Sequence, residues 1–115
     1  MKTKSIYEIL NKTYQESHLD VVICNFPGVA YKTAKDALGP NYPATFIRDS
    51  ERSIYVAGKD EIPFIIKFIE ASINLESLRG LDIRNCYIEQ DIPIAIKNQI
   101  YTTYKSNILN IIEKP

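Results

Sequence analysis

The sequence has no tryptophan, one histidine (His18), two cysteines and no excess of charge of either sign. Each shortage removes a class of function. With one histidine, and with Cys24 and Cys86 far apart and outside any CxxC pair, a zinc site lacks ligands, and no metal or other cofactor is expected. Two thiols in 115 residues also fall short of a disulfide-stapled secreted scaffold and fit a reducing compartment. Fourteen basic residues balance fourteen acidic ones, so the chain carries no electrostatic footprint for nucleic acid. The first residues, MKTKSIYEILNK, have no sustained apolar region of the signal-peptide kind, and no stretch approaches a membrane span. The expectation is a soluble, cytoplasmic protein, with residues 1–115 forming one globular domain.

What is present is a recurring entry into helices. The run LDVVICNF meets Pro27-Gly28 and is followed by apolar residues at helical spacing. Apolar-proline pairs recur at Phe26-Pro27, Ile62-Pro63 and Ile92-Pro93, each read as a strand feeding a helix. Val21 to Cys24 is continuously apolar, which predicts a central strand over 20–25, buried on both faces. Ser5 and Glu8 have capping-box spacing, so a first helix is expected over 5–17. A short helix over 30–38 places Ala30, Ala34 and Ala37 on one side, and Gly39-Pro40 stops it. Ala44–Arg48 and Ser53–Ala57 read as a hairpin about a polar turn.

Residues 61–75 read as a helix with two apolar stripes. Ile62, Ile65, Ile66, Ile69 and Ile73 make one; Phe64, Phe68, Ala71 and Leu75 make another nearly opposite. Such a helix is sandwiched, or it offers Phe64, Phe68 and Leu75 to a partner. A strand over 81–89 changes phase near Asn85, which suggests a bulge, an edge or a late start. A long amphipathic helix over 93–113 closes the chain. The order α-β-α-β-β-α-β-α predicts an α+β, or small α/β, domain around a four-stranded sheet. Its middle fits a ferredoxin-like βαββαβ core with added terminal helices, the rival being a small open α/β sheet with one antiparallel hairpin strand.

The stretch 26–33, FPGVAYKT, is the one motif-like segment. A strand leading through Gly28 to Lys32-Thr33 evokes a phosphate-binding loop, but Tyr31 and Phe26 hold the two places where that motif needs glycine. A weaker anion site remains, formed by Gly28, Tyr31, Lys32 and Thr33 at a helix mouth. Cys24 lacks the arginine that a phosphatase-like loop would supply, since Ala30 stands at that position, so Cys24 and Cys86 read as buried structural thiols. His18 reads as a structural or solvated residue that could meet the end of the first helix. The acids Asp49, Glu51, Asp60 and Glu61 read as turn and cap residues.

No catalytic constellation emerges. The function this leaves is a non-enzymatic binding module of the inhibitor, immunity, antitoxin or adaptor type, which occupies a protein partner or self-associates through Phe64, Phe68 and Leu75. The alternative is a nucleotide or other small anion bound at the strand ends near residues 26–33. A second alternative is nucleic acid on the open sheet face, with Tyr55 and Tyr87 as stacking platforms.

Overall fold

The computed structural model describes residues 4–6, 8–9, 18–38, 44–48, 52–57, 63–72 and 75–114. Helical residues at 4–6 and 8–9 precede β1 (Leu19–Cys24), α1 (Pro27–Leu38), β2 (Ala44–Arg48), β3 (Ser53–Ala57) and β4 (Pro63–Glu70). After a 3-10 turn at Glu76–Leu78 come β5 (Ile83–Glu89) and α2 (Ile94–Gln99). A π-helical turn at Ile100–Tyr104 and a 3-10 turn at Lys105–Asn107 then lead into β6 (Ile108–Lys114). The six strands form one mixed sheet in the order β2-β3-β4-β1-β5-β6.

β1 is the axis of this α+β domain. It runs parallel to β4 on one side and to β5 on the other, and β6 continues the parallel part. β2, β3 and β4 form an antiparallel meander. Val21, Val22 and Ile23 are fully buried, as a continuous apolar run in a central strand should be. Alternation sends Val22 and Cys24 to one face, where Ala30, Tyr31 and Ala34 of α1 pack with Ile6 and Ile9. Val21 and Ile23 go to the other, under Leu75, Leu78 and, from α2 and its extension, Ile96, Ile100 and Tyr104. The two connecting helices therefore cover opposite faces of the sheet.

Four expectations are corrected. Residues 63–70 are strand β4, not part of a helix over 61–75, and Phe68 and Leu75 lie buried in the two cores instead of forming one outer stripe. The Phe64 side chain and the caps at Asp60 and Glu61 fall outside the described residues. The final helix over 93–113 is cut short: Asn107 turns inward, its amide donating to the carbonyls of Leu78 (2.6 Å) and Leu81 (2.8 Å), and the chain becomes β6. Two strands beyond the expected four replace the ferredoxin-like order, and the sheet is the open, hairpin-edged kind. Both faces carry a core, so Tyr87, fully buried, is no stacking platform, although Tyr55 is exposed.

The change of phase in β5 has a cause other than an edge or a bulge. β5 sits between β1 and β6, and Asn85 faces Asp20 and Asn110 on its two neighbours. A polar row crosses the sheet there, and Cys86, Tyr87 and Ile88 beyond it are buried on both faces.

Candidate functional site at the carboxyl edge of the sheet

In an open α/β sheet, ligands bind beyond the carboxyl ends of strands whose connections leave in opposite directions. Here those strands are β1 and β5. The chain leaves β1 through α1 on one face toward β2, and leaves β5 through α2 on the other face toward β6. Register aligns Cys24 with Glu70 of β4, and Ile23 with Ile88 of β5, so Glu89 stands level with Cys24 and opposite Lys114 of β6. Alternation from Val22, Phe68, Tyr87 and Ile112 turns Cys24, Glu70, Glu89 and Lys114 to the face that α1 covers.

Only Asn25 and Phe26 separate β1 from α1. The Phe26 carbonyl accepts from the backbone N–H groups of Val29 and Ala30, both at 3.1 Å, and Pro27 has no donor, so Gly28 leads the open end of the helix. Above it lies Arg52, from the turn before β3. A Cβ at position 28 would meet its guanidinium at 3.8 Å. Arg52 holds a left-handed backbone with φ 50°, a conformation that costs a side-chain-bearing residue about 1 kcal/mol and is concentrated at functional sites. Lys32 is exposed one turn beyond Gly28 on the same side of α1.

The other two residues of the expected anion site point elsewhere. Tyr31 is buried against Phe68 in an edge-to-face pair, with ring centroids 6.1 Å apart. The Thr33 hydroxyl donates to the Val29 carbonyl at 2.9 Å, one turn back in the helix. Gly28 and Lys32 are therefore joined by Arg52, which carries no motif in the sequence, and by Glu70 and Glu89. Reading 61–75 as a strand, with its acidic end beside β1, would have pointed to Glu70.

Burial, with the Glu89 carboxylate next in size, pushes the Cys24 thiol up to about 12, against the opposing pull of Arg52. Burial, and then Asp20, does the same to Cys86. Both thiols are free and buried. They should resist a thiol reagent in the folded protein and react when urea unfolds it; fast labelling of the native state would contradict the burial. Because the folded thiols hold their protons from the ordinary value of 9.0 up to about 12 while unfolded ones lose them, their contribution to stability falls as pH rises through that window.

A second polar centre lies at the amino end of β1. Of the two roles expected for His18 the structure shows the structural one: its side chain is 6% exposed, with Nε2 3.3 Å from the carboxylate of fully buried Asp20. Asn85 donates to Asp20 Oδ1 from its backbone N–H (3.2 Å) and from Nδ2 (3.0 Å), and Asn110 donates to Asn85 Oδ1 at 3.1 Å. Burial raises the Asp20 pKa despite the attraction of His18 and the bonds from Asn85. A groove of about 470 Å³, lined by His18, Arg84, Ser106 and Asn107 among others, opens beside it. Among the described residues no three His, Cys, Asp or Glu side chains gather as metal ligands, and no helix is long and apolar enough to cross a membrane.

No protein-family model and no curated protein matches the chain in sequence. In fold it is similar to the large terminase from a thermophilic bacteriophage, with a TM-score of 0.69, 8% identity and 95% of this chain covered. A second crystal form of that protein, in complex with ADP, gives a TM-score of 0.64 at the same identity and coverage. The match spans 29% of the terminase chain.

Proposed function

We propose that this chain binds a phosphate-bearing ligand of the nucleotide type at the carboxyl edge of β1 and does no chemistry on it. The observation that carries the reading is Arg52, kept in a left-handed conformation with its guanidinium over Gly28 at the open end of α1. A planar fork of donors beside a helix N-terminus, with Lys32 one turn away, suits phosphate oxygens. The terminase of similar fold has been solved with ADP, which makes ADP the first ligand of this class to test. Binding without turnover is supported by the short connection: two residues between β1 and α1 leave no loop to wrap a phosphate chain, and the Thr33 hydroxyl is engaged by Val29.

Calorimetric titration with ADP, and separately with inorganic phosphate, tests this. The wild type is expected to bind ADP, and Arg52→Gly to lose roughly tenfold or more in affinity, the worth of about one charge-assisted hydrogen bond. The same substitution relieves the left-handed strain, so it should leave folding unharmed or raise stability by up to about 1 kcal/mol. Equal ADP affinity in wild type and Arg52→Gly, or no binding at millimolar ADP, would defeat the proposal.

A second reading, a protein-binding module, is favoured by apolar exposure around the same edge. Phe26 is 73% and Val29 67% exposed at the mouth of α1, and Ile94 74% at the mouth of α2. On that reading these three residues take the place of the buried Phe68 and Leu75 in the contact surface.

A further inference from the structure

We propose that β6 is an interface with a second copy of this chain, the two β6 strands pairing antiparallel into one continuous sheet. The proposal is independent of the ligand site at the carboxyl end of β1. β6 is the last strand of the sheet, and among the described residues its one neighbouring strand is β5. The Gln90 N–H donates to the Lys114 carbonyl at 2.9 Å, so the backbone groups of Lys114 point toward β5. With a period of two, those of Ile112 and Asn110 also point inward, while those of Leu109, Ile111 and Glu113 point to the open side. An open row of backbone donors and acceptors is matched by another extended strand.

The segment is self-complementary about one residue, and the charges beside it set the register. Centring the pair on Asn110 sets Leu109 opposite Ile111 of the second copy and Ile108 opposite its Ile112. The outward-pointing groups of Leu109 and Ile111 then meet as hydrogen-bonded pairs on both sides of the axis, with Asn110 facing its own equivalent as the close, non-bonded pair. Glu113 and Lys114, already joined to Lys97 (2.8 Å) and Glu8 (2.9 Å), fall outside the matched segment. Shifting the centre to Ile111 or Ile112 would instead bring Glu113 against Leu109 or Ile111. Positions 108–112 are uncharged, and Leu109, 72% exposed, is covered by an apolar residue of the second copy in the pair. The devices that usually blunt an edge (a proline, a bulge, an inward charge) are missing from this stretch.

Sedimentation of the whole chain at micromolar concentration is expected to give a dimer. Leu109→Pro removes an outward N–H that β5 does not use, so it should give a monomer with the circular dichroism of the wild type. Asn110→Cys should form an intermolecular disulfide readily, because the paired Cα atoms lie about 4.5–5.5 Å apart, and Leu109→Cys, offset from its own equivalent, should not. The native cysteines are buried and do not compete. A monomeric wild type, a dimer that survives Leu109→Pro, or equal cross-linking at 109 and 110 would each overturn the proposal.

Discussion

Replacing Phe68 with alanine is expected to remove about 3–5 kcal/mol of folding stability, a large part of what holds a domain of this size. The ring is 4% exposed in the core between β4 and α1, and Tyr31 packs edge-on against it. Removing it leaves a cavity on the helix-covered face and strips Tyr31 of its ring contact, and neither side can collapse freely because β4 is hydrogen-bonded between β1 and β3. Phe68→Asp should prevent folding altogether, since it would bury a carboxylate among apolar side chains. Urea unfolding measures the first effect and circular dichroism the second. A folded Phe68→Asp protein whose only defect was a lost partner would return the residue to an interface.

The second large effect is expected at Asp20. Its carboxylate is fully buried and accepts both the backbone and side-chain N–H groups of Asn85 while facing His18. Asp20→Ala leaves those donors without this acceptor and takes the carboxylate from beside His18, a loss of about 3 kcal/mol or more. Asp20→Asn keeps an oxygen for Asn85 and should cost less. The two proteins should also differ with pH. Burial raises the Asp20 pKa above its ordinary 3.8, so in the window just above that value the folded state holds a proton that the unfolded state has released. Stability of the wild type relative to Asp20→Asn therefore falls as pH rises through that window. Unfolding series of both proteins over mildly acid pH check the slope; parallel curves would mean that Asp20 is not titrating against its burial.

The sequence was legible where one signal dominated. Val21 to Cys24 cannot satisfy a half-buried pattern, and β1 is indeed the buried centre. Ala30, Ala34 and Ala37 let α1 sit close to the sheet, and the hairpin strands fall at Ala44–Arg48 and Ser53–Ala57 as the polar turn between them implied. β4 was missed for the reason that makes β1 easy. Five of the eight residues in PFIIKFIE are isoleucine or phenylalanine, so a helical stripe can be drawn through them as readily as a strand, and only the density of β-branched isoleucine argues for the strand. The last helix failed differently. Ile96, Ile100, Ile108 and Ile112 keep helical spacing by coincidence across Ser106 and Asn107, and it is the inward hydrogen bonds of Asn107 that end the helix. At the site, Gly28 and Lys32 were visible as a damaged phosphate motif. Arg52, Glu70 and Glu89 come from other parts of the sheet, and nothing short of the strand order brings them to it.

The most direct test of the nucleotide-type site is an amide chemical-shift map of the isotope-labelled protein titrated with ADP. Saturable shifts centred on Gly28, Lys32 and Arg52 and reaching Glu89, with the groove beside His18 unmoved, are the result predicted here. Shifts confined to the His18 groove, or none at millimolar ADP, would contradict the account and leave the carboxyl edge to a protein partner.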